Sequence, residues 1–97
     1  MILTFGDAAT EDLYHGRQTR RIRRFPPNVI PSALRKLDML AAAQALNDLY
    51  SPPGNRLEAL KGDREGFYSI RINDQYRLVF HWEARGASQV SIVDYHA

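Results

Sequence analysis

The alternation of period two in the C-terminal half limits the fold more than any other feature of the chain. Tyr68, Ile70 and Ile72 alternate with Ser69 and Arg71, and Tyr76, Leu78, Phe80 and Trp82 alternate with Arg77, Val79 and His81, the pattern of two half-buried antiparallel strands. If Asn73-Asp74-Gln75 is a three-residue turn, Ile72 opposes Tyr76, Arg71 opposes Arg77, and both apolar sets share one face; a two-residue turn would mix the faces. The pattern therefore predicts the longer turn. Arg71 and Arg77 then stand side by side on the opposite face, where like charges repel unless an anion or a carboxylate such as Asp74, Glu83 or Asp94 lies beside them. A last run, Val90 to Tyr95, follows a turn at Arg85-Gly86-Ala87-Ser88 and adds another strand.

The N-terminal half has a helical period instead. Ile2, Leu3 and Phe5 read as a short first strand, and Asp7 caps a helix carrying Ala8, Ala9 and Leu13 that Gly16 ends. Arg17 to Arg24 places five arginines around Ile22, an exposed basic helix or a mobile arm, which Pro26 and Pro27 terminate. After Asn28 as cap, Ile30, Leu34, Leu37 and Ala41 recur at helical spacing, widened by Met39 and Leu40, with Pro31 tolerated in the first turn; the helix is expected to end near Ala43 to Leu46. Asn47 to Asn55, with Pro52, Pro53 and Gly54, reads as an irregular loop dividing the helical half from the strand half.

A length of 97 residues with 44% hydrophobic and 25% charged side chains predicts a single domain over 1–97, too small for a deep enclosed cavity and suited to a shallow groove and a large substrate. The absence of cysteine removes disulfides and cysteine-rich zinc sites. The opening residues lack the layout of a secretory signal, and no apolar run is long enough to span a membrane, so a cytoplasmic protein without membrane contact is expected. The formal charge of +2 is carried by arginine, with Lys36 and Lys61 the only lysines, which points to phosphate-bearing or acidic partners.

Several side chains are suited to phosphodiester chemistry. Lys61 stands where a short strand exits into the Gly62 turn, and Glu58 lies earlier in that strand, able to position a proton or simply to balance Lys61 and Arg56. Asp94, Tyr95 and His96 bring a carboxylate, a phenol and an imidazole together at the end of the last strand; extended geometry puts Asp94 and His96 on one side and Tyr95 on the other. With His15, His81 and His96 the only histidines, no metal site and no cofactor are expected. Cleaving RNA requires a deprotonated 2′-hydroxyl, a stabilised phosphorane and a protonated leaving group, all within reach of these residue types. Tyr68, Tyr76 and Tyr95 are candidates for stacking on bases, although tyrosines alternating in strands are more often packing residues.

Three ordered segments resemble a known family. Pro52 to Asp63 (PPGNRLEALKGD), Tyr68 to Arg77 (YSIRINDQYR) and Val93 to His96 (VDYH) are similar to the HigB toxins, the plasmid-maintenance killer proteins of the RelE superfamily, with a looser match at Thr10 to Leu13 and Arg35 to Asp38. The resemblance implies an α+β, RelE-like fold, with two or three N-terminal helices packed on a mainly antiparallel twisted sheet. It also implies a metal-independent endoribonuclease that cuts messenger RNA on the ribosome, and a HigA-type helix-turn-helix antitoxin that alone carries contact with operator DNA. The family's functional positions fall on Lys61, Arg77, Asp94, Tyr95 and His96. His96 would transfer the proton, Asp94 orient it, Lys61 and Arg77 stabilise the phosphate, and Tyr95 stack or assist. Where some relatives carry a histidine just before the Leu-Lys-Gly motif, this chain has Glu58, a substitute base or a weaker site. Arg71, Arg56, Arg64, Arg20, Arg21 and Arg24 are the expected RNA contacts.

The alternative is a non-catalytic or weakly catalytic module that binds RNA or the ribosome under antitoxin control; a pure binder would have no chemical reason to keep Asp94-Tyr95-His96. A DNA-binding repressor ranks last, because Arg17 to Arg24 lacks the paired-helix layout that presents a recognition helix.

Overall fold

A computed structural model describes residues 1–95. Two α-helices, α1 (Ala8–Tyr14) and α2 (Ile30–Ala42), cover one face of a four-stranded antiparallel meander of β1 (Glu58–Ala59), β2 (Phe67–Arg71), β3 (Tyr76–Glu83) and β4 (Gly86–Asp94), in the order β1-β2-β3-β4. The central hairpin has the register that the alternation predicts. Arg71 opposes Arg77 and Ile70 opposes Leu78, while the Ile72 N–H donates to the Tyr76 carbonyl at 3.0 Å. Asn73 fixes the turn, its side-chain oxygen accepting from the Gln75 and Tyr76 N–H groups at 2.9 and 2.7 Å.

Ile70, Ile72, Tyr76, Leu78, Phe80, Val90 and Ile92 form the apolar side of the sheet and bury against Ala9 and Leu13 of α1 and Ala33, Leu37 and Leu40 of α2. Ala33, Leu37 and Leu40 are the buried centre of the α2 stripe; Ile30, Leu34 and Ala41 lie at its margins. As expected, Asp7 caps α1, its carboxylate accepting from the Thr10 N–H at 2.7 Å, and Pro31 sits in the first turn of α2.

Several boundaries differ from the sequence reading. Ile2, Leu3 and Phe5 do not form a full strand: they make isolated parallel bridges, Ile2 to Ala87 and Phe5 to Val90, because Gln89 at φ 51° bulges out of β4 and turns its N–H to the Thr4 hydroxyl. Val29 rather than Asn28 caps α2, since the Pro26 carbonyl takes the Val29 N–H and closes a turn first. The helix stops at Ala42. Asn47 to Asn55 holds two short 3₁₀ turns, Leu46–Tyr50 and Pro53–Asn55; Pro53 occupies the first position of the second, where its ring is tolerated. Gly86 belongs to β4 instead of a turn. A Cβ there would meet the Met1 carbonyl oxygen at 2.2 Å, so the glycine serves close strand approach while Ala84 and Arg85 make the turn.

The Arg17 to Arg24 segment is neither an α-helix nor a free arm. It is a 3₁₀ turn, Arg20–Arg24, tethered to α1: the buried Asp12 carboxylate meets Arg17 at 3.3 Å, Arg21 at 3.1 Å and the Thr19 hydroxyl at 2.8 Å, and Arg24 pairs with Asp7 at 3.2 Å. The Thr19 hydroxyl, ahead of the Arg21 and Arg17 guanidiniums, holds the Asp12 carboxyl below its ordinary value against the opposing pull of burial. With the folded value depressed, the tether's contribution is complete above the ordinary carboxylate range and is lost as pH falls through the lower folded value. Amide exchange over residues 17–24 should therefore accelerate in strong acid before the sheet opens, and Asp12→Asn should show the fast exchange already at neutral pH. Equal protection of this segment in wild type and variant at neutral pH would refute the tether.

Asn55, wholly buried, organises the approach to β1. Its amide nitrogen donates to the Leu49 and Ser51 carbonyls at 3.2 and 3.3 Å, and its oxygen accepts from Lys36 at 2.5 Å. Burial, then the Arg35 and Arg71 charges, push the Lys36 ammonium below its ordinary value. Asn55→Ala strands two carbonyls and the ammonium, and is expected to cost about 2–4 kcal/mol in denaturant unfolding.

Candidate active site

The sheet face turned away from the helices collects the candidate groups by parity alone. Glu58 of β1 opposes Ser69 of β2, Ser69 opposes Val79 of β3, and Arg77 lies between Arg71 and Val93. Tyr95 extends β4 by one residue, its N–H donating to the Gln75 carbonyl at 2.7 Å, and two-residue alternation from Val93 returns its ring to this face.

Arg77 is the centre. Its Nη1 meets the Glu58 carboxylate at 2.9 Å, donates to the Ser69 hydroxyl at 2.8 Å and reaches the Arg56 carbonyl at 3.4 Å; its guanidinium carbon stands 5.3 Å from the centre of the Tyr95 ring. The Arg77 side chain is only 15% exposed, whereas Glu58 is 49% exposed. Ser69 is fully buried, and its small side chain leaves room for the guanidinium stem above it. Arg56 can present its carbonyl because its backbone adopts the left-handed conformation, φ 47°, directly after the Pro53–Asn55 turn. Nη2 and Nε of Arg77 make no hydrogen bond among the described residues and are the donors left for an anion.

The two arginines thus both have carboxylate partners. Arg71 pairs with Asp74, one of the carboxylates expected from sequence, but Arg77 takes Glu58 instead of Glu83 or Asp94. Glu83 accepts from the Ser88 hydroxyl at 2.5 Å. Lys61 is exposed at the start of the 3₁₀ turn Gly62–Arg64, so Lys61 and Arg64 flank the outer end of β1, with Arg56 exposed before it.

Asp94 is not gathered with Arg77. It opposes Tyr76 and therefore projects to the helix side of the sheet, where Gln75 donates to it at 3.1 Å and where it lines a concavity of about 350 Å³ with Arg24, Phe25, Tyr76 and Ile92. Arg20 and Arg21 belong to the tethered segment on that side, Arg21 engaged by Asp12. His96 lies outside the described residues. Of the stacking candidates, Tyr76 is buried and Tyr68 half-buried against Phe80 in the core face, which leaves Tyr95, 41% exposed, as the tyrosine available to a base. The sequence reading missed Ser69; its placement one strand from Glu58 and Val79 was implicit in the parity of β2, but nothing local marks a serine as an arginine's support. A larger concavity of about 770 Å³, lined by Met1–Phe5, Glu11, Tyr14, His15 and Ala41, holds none of the candidate residues.

Two helices on one face of an antiparallel meander leave the opposite face open, and that face bears a braced arginine beside an exposed tyrosine. The chain aligns with a chain of the YoeB-YefM complex from Staphylococcus aureus at a TM-score of 0.61 and 24% identity, covering 100% of this chain and 97% of that one. It aligns with the YoeB dimer from the same organism at 0.61 and 23%, covering 99% and 95%. Residues 2–96 match the family of RelE-like toxins of type II toxin-antitoxin systems, HigB. The chain is also 46% identical over 82 residues to Toxin HigB-1 of Vibrio cholerae serotype O1, covering 84% of each. It belongs to the HigB-like toxin family and is the toxin half of a type II toxin-antitoxin pair. Among the described residues, no helix is long and apolar enough to cross a membrane.

Proposed function

We propose that the chain is a metal-independent endoribonuclease that cuts messenger RNA on the ribosome and so arrests translation in the cytoplasm. The observation that carries this reading is Arg77: a largely buried guanidinium held by Ser69, Glu58 and the Arg56 carbonyl, beside an exposed tyrosine, with donors to spare on an open sheet face. Preorganised donors at the position where phosphorane charge develops lower the barrier because they need no reorientation during reaction. Tyr95 would stack on the base beside the scissile phosphate or assist proton transfer. Lys61, exposed at the mouth of the face, would add a second cation. His96 would carry the leaving-group proton, with Asp94 anchoring the terminal segment through Gln75.

Glu58, paired with Arg77 on the open face, would serve as the general base, and substrate phosphate would have to share or displace that contact for the carboxylate to take the 2′-hydroxyl proton. The partner would be a HigA-type helix-turn-helix antitoxin, through which alone the pair touches operator DNA. Lys61→Ala is expected to slow cutting of ribosome-bound message about tenfold without loss of stability, as for one exposed phosphate contact; an unchanged rate would remove Lys61 from the site. The second reading, a module that binds the ribosome without cutting, draws on the same Glu58–Arg77 pair, since a carboxylate held by a guanidinium is a weaker base for the 2′-hydroxyl proton.

A further inference from the structure

We propose that Phe67 and His81 form a subsite for an unpaired RNA base on the open face, a few nucleotides from the scissile phosphate. The inference rests on the ribonuclease reading for its distance from the cut, and on the two side chains themselves for the site.

Phe67 of β2 opposes His81 of β3, and the register that places Arg71 opposite Arg77 puts both rings on the face of Arg77, away from the helices. Four residues of strand separate His81 from Arg77, a span of about 13 Å. Between them Ser69 and Val79 are buried, whereas Phe67 and His81 are each half-buried and keep part of their surface on the open face. The rings meet edge to face, centroids 5.2 Å apart and planes at 77°, which leaves a π-face for a third ring.

Packing alone does not account for a histidine here. Its Nδ1 is buried with no hydrogen-bond partner among the described residues, a cost that leucine or phenylalanine would avoid at the same position. The other nitrogen lies beside Gly66: a Cβ there would stand 3.5 Å from Nε2, and with glycine, which the φ of +94° favours, no side chain comes between Nε2 and a base. Lys61 and Arg64 lie in the turn that leads into Gly66 and Phe67, so cations for the flanking phosphates are supplied by the same connection. An aromatic platform with a polar edge beside basic residues is the combination that single-stranded RNA recognition uses.

The test is fluorescence of a short single-stranded RNA carrying 2-aminopurine at successive positions, titrated with the full chain, alongside mapping of cuts on ribosome-bound message. Wild type should quench the probe, Phe67→Leu should weaken binding about tenfold, and Phe67→Tyr, which keeps the ring, should retain it. His81→Gln should bind with less base selectivity. In the cutting assay, Phe67→Leu should raise KM and flatten the base preference at one position away from the cut while leaving kcat unchanged. A wild type that quenches but never cuts would leave the subsite standing and remove the ribonuclease reading. No quenching by wild type, or wild-type binding and cut preference in both Phe67→Leu and His81→Gln, would overturn the subsite; if Phe67→Leu does not fold, the comparison of His81→Gln with wild type decides.

Discussion

Arg77→Ala is expected to lower the rate of message cutting by about 10²–10³-fold, the usual consequence of removing one preorganised charge-stabilising donor group. The loss should fall on kcat, because the guanidinium's free donors would tighten on the phosphate only as negative charge accumulates. Arg77→Lys should recover little. A lysine is a point donor on a flexible stem, and it cannot hold Ser69, Glu58 and the Arg56 carbonyl while offering further donors in a fixed plane. Arg77→Ala would also leave Glu58 without its cation, so ribosome binding measured beside the cutting rate separates a lost catalytic group from a lost surface. Arg77→Ala that cuts within a factor of a few of wild type would show that the open face is not the active site.

Phe80→Ala is expected to destabilise the chain by about 3–5 kcal/mol, the range for emptying a buried phenylalanine site. Phe80 is fully buried in the middle of β3, stacked on Tyr68 at 6.3 Å and edge-on to Trp82 at 6.4 Å, and it faces the core shared with α2. For a chain of this size each kcal/mol moves Tm by roughly 4–8 °C, so the melting point should drop by more than about 12 °C. An unchanged denaturant slope with a reduced midpoint would mark a cavity effect; a small shift in both would mean that the core closes around the missing ring.

The hairpin was legible because side-chain parity admits one register: a one-residue slip would have turned Leu78 and Phe80 to solvent. That same parity placed Arg77 on the open face and Tyr76 in the core. The Asp7 cap was legible because its partner, the Thr10 N–H, lies within one turn. What could not be read depends on chain segments meeting from afar. Asp12 gives no local sign that it will gather Thr19, Arg17 and Arg21, so the arginine run read as an unattached helix or arm. Glu58 and Arg77 meet only because β2 separates them in the sheet, and the sequence reading gave Arg77 nearer carboxylates. The side of the sheet on which Asp94 falls follows from its pairing with Tyr76, which requires the β3–β4 register; the bulge at Gln89 sets that register and carries no sequence signature.

The most direct measurement is incubation of purified wild-type chain with ribosomes stalled on a defined message, kept assembled by polyamines in excess chelator, followed by mapping of the RNA ends. Cuts are expected in the ribosome-bound message, leaving 2′,3′-cyclic phosphate ends, and suppressed when the cognate antitoxin is added first. Tight ribosome binding with an intact message, or cutting that disappears when divalent metal is removed from a ribosome kept assembled by polyamines, would contradict this expectation.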